Sequence, residues 1–291
     1  MKLTAAECDS LQNYCAKFRR DLIKQLHSIQ TGHPGGSLSC CEILTVLYFA
    51  KANIAPSNRS DPERDWIVLS KGHAAPMLYR ILAEKGFFPK EELATLRQAG
   101  SRLQGHPCPS QVMGKSPNAA TGTMWRRELP SGPLGAAYAA CVGVALANKV
   151  SQRKNYVYAV LGDGECNEGV IWEAAMSVSK FGLDRLITIV DRNHVQLDGT
   201  SDEILPLGDL AAKFAAFGLF PITCDGHDVA ALSDAIDTAK SAGKPCVILA
   251  ETVKGKGVSF MEGKNEWHGK PIGDADYAKA TAELGGNKSW E

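Results

Sequence analysis

Five short apolar runs alternate with longer segments of helical periodicity, and this alternation constrains the fold more than any other feature of the chain. The runs are Trp66–Leu69, Tyr156–Leu161, Leu186–Val190, Leu219–Thr223 and Cys246–Ala250. Each is strand length, and four are rich in β-branched or aromatic residues, so buried strands are expected. Between them, Ala74–Lys85, Leu134–Lys149, Glu168–Phe181, Leu210–Phe217 and Val229–Ser241 carry helical patterns. Such repetition predicts an α/β fold with a mainly parallel sheet covered by helices on both faces. Ahead of the alternation, Thr4–Gln30 predicts a long helix, with Leu11, Cys15, Phe18, Leu22 and Leu26 recurring on one side. Thr31-Gly32-His33-Pro34-Gly35-Gly36 breaks it, and Ser37–Lys51 predicts a second helix.

The length of 291 residues permits one large domain or two smaller ones. No repeat, low-complexity tract or linker divides the chain, which favours a single domain over 1–291. Two aperiodic stretches rich in Gly and Pro, Gly100–Pro130 and Lys254–Gly273, have the length at which loops are usually functional or disordered. Basic and acidic residues number 32 each, so no nucleic-acid or polybasic membrane surface is expected. Pro133–Asn148 is the longest uncharged stretch; it is short for a bilayer and reads as a buried, Ala/Gly-rich helix. Glu7 and Asp9 stand where a signal peptide would need an apolar core. The nine cysteines are odd in number, scattered and without a Cys-x-x-Cys pair, which fits reduced thiols in the cytoplasm.

Chemistry concentrates at Gly162-Asp163-Gly164-Glu165, directly after an apolar strand, and at Asn193, which closes the next strand some thirty residues on. One strand–helix–strand unit has that length, so both residues fall at neighbouring strand tips. A carboxylate and an amide oxygen suit a hard cation such as Mg²⁺, which completes its shell with water and substrate phosphate. A helix starting near Glu168 would turn its N–H groups toward an anion. The simpler reading of the same residues is a surface turn whose aspartate caps a helix. The strand–turn–helix–strand context favours the metal–diphosphate reading. Four histidines, His33, His73, His106 and His268, lie in loops flanked by Gly or Pro, where binding residues concentrate. Their spacing matches no compact zinc motif. His27 and His194 read as ordinary structural or surface residues, and His227 as a strand end with Asp228 capping the next helix.

At these positions the chain resembles the transketolases. The resemblance rests on Gly162-Asp163-Gly164-Glu165-Cys166-Asn167-Glu168-Gly169 followed by Trp172-Glu173-Ala174, and on Thr31-Gly32-His33-Pro34-Gly35-Gly36-Ser37. Ser70-Lys71-Gly72-His73, Gly105-His106-Pro107, Ser131-Gly132-Pro133-Leu134-Gly135 and Trp267-His268-Gly269 follow the family's order too. It covers nearly the whole chain but only the family's first domain. The resemblance therefore implies the N-terminal subunit of a split transketolase, with pyrimidine-binding and C-terminal domains on a partner, in an α₂β₂ assembly. It implies thiamine diphosphate with Mg²⁺ or Ca²⁺, and transfer of a two-carbon ketol unit from a ketose phosphate to an aldose.

Carried over by position, Asp163, the Asn193 side chain and the Val195 carbonyl would coordinate the metal. Gly164 and His73 would meet the diphosphate, Gly132 and Leu134 would line the aminopyrimidine pocket, and Leu197 would support the bent cofactor. His268 would sit near both diphosphate and substrate, while His33 and His106 would face the sugar. Glu168, grouped with the cofactor residues, would lie in a carboxylate network at the subunit interface; its plainer role is a first-turn glutamate favoured by the helix dipole. The family's usual Gln-Gly is Ala136-Ala137 here, and Lys254 aligns near a position that is often apolar beside the thiazolium. Arg126 and Arg127 read as solvated loop charges. Xylulose 5-phosphate is the default donor; a branched or modified sugar phosphate such as apulose 4-phosphate is the alternative. Further alternatives are a deoxyxylulose phosphate synthase-like enzyme and a non-catalytic binding subunit. An unrelated dinucleotide-binding protein would need a G-x-G-x-x-G fingerprint after the first strand, which is absent.

Overall fold

The structure, a computed structural model, describes residues 2–58, 60–107 and 129–285. Helix α1 (Ala5–Ile29) opens on a capping box, with the Glu7 N–H donating to Thr4 Oγ1 at 3.3 Å and the Thr4 N–H donating to Glu7 at 2.8 Å. Helices α2 (Pro34–Ser39) and α3 (Cys41–Val46) follow, and a π turn over Leu47–Lys51 ends this region. The sequence pattern predicted one helix starting at Ser37. The structure begins at Pro34, whose fixed φ suits a first helical turn, and breaks at Cys40. Gly35 and Gly36 lie in this helix, and their surroundings leave no room for a side chain. A Cβ on Gly35 would lie 2.9 Å from the Trp267 carbonyl, and one on Gly36 2.7 Å from His73 Nε2.

The remaining order is β1 (Trp66–Leu69), α4 (Ala75–Glu84), α5 (Ala136–Val150), β2 (Val157–Gly162), α6 (Gly169–Lys180), β3 (Leu186–Arg192), α7 (Ser201–Ile204), α8 (Leu210–Ala216), β4 (Phe220–Asp225), α9 (Val229–Ser241), β5 (Cys246–Glu251) and α10 (Asp274–Glu283). All five apolar runs become strands of one sheet in the order β1-β2-β3-β5-β4, every pair parallel. Val157 pairs with Leu186 and Gly162 with Asp191, so β2 and β3 end level with each other. β4 lies at an edge, where Pro221 costs no ladder bond on its open side.

Alternation along the strands builds two cores. Tyr158, Val160, Ile187, Ile189 and Ile248 pack with residues of α1, α3, α4 and α9. Ala159, Leu161, Val190, Val247 and Leu249 pack with residues of α5, α6 and α8. Helices thus cover both faces, as a parallel sheet requires. The expected buried helix is α5, which buries one side and shows Ala136, Ala140, Gly143 and Ala147 on its exposed side. No helix among the described residues is long and apolar enough to cross a membrane.

A buried polar network ties the N-terminal helices to the segment after β5. Arg19 on α1 donates to Glu42 on α3 at 2.5 and 2.7 Å, and His227 Nδ1 lies 2.9 Å from Glu42. The Val253 N–H donates to His227 Nε2 at 2.8 Å, so the ring proton sits on Nδ1 and is given to Glu42. His227 therefore does more than end a strand, while Asp228 caps α9 by accepting from Ala230 and Ala231. Cys15, Cys41 and Glu42 place potential metal ligands within 4.8 Å of one another, but the guanidinium of Arg19 already pairs with the carboxylate.

Candidate active site

Because β2 and β3 end side by side, the turns that follow them form one rim at the carboxyl edge of the sheet, where open α/β sheets bind ligands. Asp163 is 2% exposed; its carboxylate accepts from the Gly164 N–H at 2.8 Å, the His194 N–H at 2.6 Å and Ser201 Oγ at 3.3 Å. Burial, and then the neighbouring Asp191, push its pKa up. Asn193 Oδ1 accepts from the Val195 N–H at 3.2 Å, and its Nδ2 donates to Asp191 at 3.5 Å. Between them His194 adopts a left-handed φ of 62°, uncommon for a residue with a side chain. Asp163, Asn193 and Val195 line one cavity of about 210 Å³. This brings a carboxylate, an amide and a carbonyl together at a single wall.

The same cavity carries nitrogen, in direct contact with one of these oxygens. Lys254 is 1% exposed, and its Nζ donates to the Val195 carbonyl at 3.1 Å and the Gln196 carbonyl at 2.9 Å, and lies 2.9 Å from His268 Nδ1. The side chain that aligns near an often apolar position is here an ammonium set among polar groups. Burial and the nearby Lys71 bring its pKa down to about 8. Lys71 is itself buried against Asp191, and donates to the Gly36 carbonyl at 2.9 Å. His73 and His268 stack at 4.8 Å between ring centroids, and both line the cavity. His33 stands 5.6 Å from His73, 5.5 Å from His268 and 6.3 Å from His106, so the four loop histidines form one cluster with His33 and His106 at its outer side. Burial, then Arg97, His106 and Lys254, lowers His33 to about 4. Burial, then Lys254, His33 and Lys71, lowers His268 to about 3. The cluster is held as neutral imidazoles, which give and accept hydrogen bonds according to tautomer.

Three groups escaped the sequence reading. Arg97, itself at φ 62°, brings a guanidinium nitrogen to 3.5 Å from His33 Nδ1. Glu165 is 3% exposed and accepts from Ser70 Oγ at 2.5 Å, the Gly135 N–H at 2.7 Å and the Gly162 N–H at 3.2 Å, joining three of the motifs. The available signal was a carboxylate beside a Gly-rich turn straight after a buried strand. Asp191 near the end of β3 carried a weaker signal, a carboxylate directly after the apolar run Leu186–Val190. Gly135 holds φ 79° at the start of α5, where a Cβ would collide with Val170. Leu134 and Leu197 line the cavity and remain 44% and 59% exposed. Gly132 is half-buried beside them and is not part of the cavity wall.

Glu168 lies outside the cavity, exposed, and makes no capping hydrogen bond at the start of α6. The helix expected near Glu168 is found where the sequence places it: α6 begins at Gly169 with Glu168 as its N-cap residue, and a 3-10 turn over Gly164–Asn167 separates it from Asp163. Arg126 and Arg127 fall outside the described residues.

Comparison with known proteins agrees with this geometry. Residues 12–291 match the family described as "Transketolase, thiamine diphosphate binding domain". The chain is 42% identical over 275 residues to the 6-deoxy-6-sulfo-D-fructose transketolase subunit SqwG of Clostridium sp. (strain MSTE9), covering 94% of this chain and 96% of that relative. It is 40% identical to a subunit of the apulose-4-phosphate transketolase of Actinobacillus succinogenes, covering 91% and 93%. It is 35% identical to human transketolase, covering 90% of this chain but 40% of that protein. The crystal structure of Campylobacter jejuni transketolase superposes with a TM-score of 0.84 at 29% identity, over 97% of this chain and 44% of that one. The chain thus spans less than half of the full-length transketolases it matches and nearly all of the relatives named as subunits. By sequence and by fold, the chain belongs to the transketolase family, as its thiamine diphosphate-binding, N-terminal part.

Proposed function

We propose that this chain is the cofactor-binding subunit of a two-chain transketolase, inactive alone and completed by a partner that closes the cavity. One observation carries the reading: three oxygen donors and a set of nitrogen donors share one cavity at the ends of β2 and β3. Hard oxygens from Asp163, Asn193 and the Val195 carbonyl fit Mg²⁺ or Ca²⁺. His73, His268 and the Lys254 ammonium fit a diphosphate carried by that metal, and Gly164, without a side chain, allows its close approach. The donor set therefore suits thiamine diphosphate. When bound, that cofactor supplies a nucleophilic carbon and an electron sink for breaking and remaking a ketose carbon–carbon bond.

The chain's own residues then hold and orient. Leu134 and Leu197 offer apolar surface to the rings, with Gly132 beside them. His33, His106 and His268 act as neutral hydrogen-bond partners for sugar hydroxyls, and Arg97 adds a cation near His33. Glu168 is assigned to the subunit interface, which its exposure supports. Met176, Ile204 and Leu205 are exposed apolar residues and suit contact with the partner. The partner would bring the pyrimidine-binding domain, including the carboxylate that the aminopyrimidine needs, in an α₂β₂ assembly in the cytoplasm. The relatives named as subunits act on modified sugars by their names, 6-deoxy-6-sulfo-D-fructose and apulose 4-phosphate. A modified ketose is accordingly favoured here over xylulose 5-phosphate.

The test is an assay of ketol transfer with Mg²⁺, thiamine diphosphate and a panel of ketoses, using the chain with and without the product of the adjacent reading frame. Turnover is expected only from the pair. Full turnover by the chain alone overturns the two-chain reading.

A further inference from the structure

We infer that Gln196 is an additional ligand of the cofactor's diphosphate, donating from Nε2 across Gly164. The inference rests on the reading that the cavity takes thiamine diphosphate. Gln196 Nε2 is buried and has no hydrogen-bond partner among the described residues. Buried polar atoms are paired in the great majority of cases, so an unpaired donor beside a cavity marks a missing acceptor. Gln196 lines the same cavity as Asp163, Gly164, Asn193, Lys254 and His268. Its backbone is held at both ends: the N–H donates to the Gly199 carbonyl at 2.8 Å, and the carbonyl accepts from Lys254 Nζ at 2.9 Å. The side chain lies over Gly164, with Cγ 3.0 Å, Cδ 3.2 Å and Nε2 3.7 Å from where a Cβ at 164 would sit. The missing side chain of Gly164 thus makes room for this amide.

The chemistry of the surroundings selects the acceptor. The Val195 and Gln196 carbonyls already accept from Lys254, and the Asp163 carboxylate accepts from two backbone N–H groups and Ser201. Metal-bound water donates its protons outward and would not satisfy an N–H donor. A phosphate oxygen, with free lone pairs and negative charge, does.

The experiment uses the full chain with its partner, and calorimetric titration with thiamine diphosphate and, separately, with inorganic pyrophosphate, both in Mg²⁺. Gln196→Leu removes the donor at similar size and is expected to weaken both ligands by about ten- to a hundredfold, as for a hydrogen bond to a charged group. Gln196→Glu places an anion against the diphosphate and is expected to weaken them further. Ligand-free melting temperatures are measured alongside, and should match the wild type for both variants. Wild-type affinity in Gln196→Leu, or in Gln196→Glu, overturns the inference while leaving the cofactor reading intact. Failure of the wild-type complex to bind either ligand overturns the cofactor reading, and this inference with it.

Discussion

Asp191 ends β3 with no exposed surface and takes hydrogen bonds from Lys71, Ser39 and Thr252, while Asn193 reaches it at 3.5 Å. The two residues are close in sequence and differ in what they support. Replacing Asp191 by Asn leaves the Lys71 ammonium buried without its counter-charge, which typically costs about 3–5 kcal/mol. Asn193→Ala loses two long hydrogen bonds and is expected to change stability by about 2 kcal/mol or less, while removing a proposed metal ligand. Urea unfolding and Mg²⁺ titration of the two variants check this contrast; a stable Asp191→Asn protein contradicts the assigned role. Glu165 shows how a residue inside a legible motif hides its work. Its partners, Ser70 and Gly135, are 95 and 30 positions away in sequence, and nothing local to the turn reveals them.

At the scale of elements, the Arg19–Glu42–His227 network joins α1, α3 and the segment that carries Lys254, so its ionisation acts on packing that supports the cavity. Burial alone would raise the Glu42 carboxyl, but Arg19 and His227 outweigh it and hold it down to about 2, against an ordinary value of 4.5. A carboxyl depressed in the folded state stabilises fully above pH 4.5 and loses that contribution as pH falls toward 2. The contribution at neutral pH is about 3 kcal/mol. Glu42→Gln is expected to be less stable by about that amount at pH 7 and to lose less on acidification than the wild type between pH 4.5 and 2. Chemical denaturation across that range measures both. Helix α10 was not predicted, because its pattern is polar. It is held by His27, which stacks on Tyr277 at 4.1 Å and lies 2.8 Å from Asp274.

For the whole molecule, the sheet presents its functional rim at one end, and several apolar residues stay exposed. Leu134, Leu197, Met176, Ile204 and Leu205 each keep 44% or more of their surface exposed, a cost that a partner surface would relieve. Met176 stands on α6 outside both cores, 53% exposed. Met176→Lys should therefore leave the chain folded and weaken assembly with the partner by about tenfold or more, since charge is disfavoured at interface centres. Size-exclusion chromatography of the mixed chains reads the outcome, and assembly at wild-type strength would move the docking face elsewhere.

Local spacing in the sequence determined the five strands, the parallel α/β class and the loops that carry His33, His73, His106 and His268. Burial periodicity and turn chemistry are written within a few residues of each position, which is why these features were legible. Periodicity says which side chains are buried, not which strand lies beside which. The order β1-β2-β3-β5-β4 was therefore decided by packing. Packing also drew the four histidines into one cluster, sank Lys254 into the floor and left Glu168 outside the cavity. Only tertiary contacts between distant segments set where a charge is desolvated and what it faces, and the chemistry of the site depends on both.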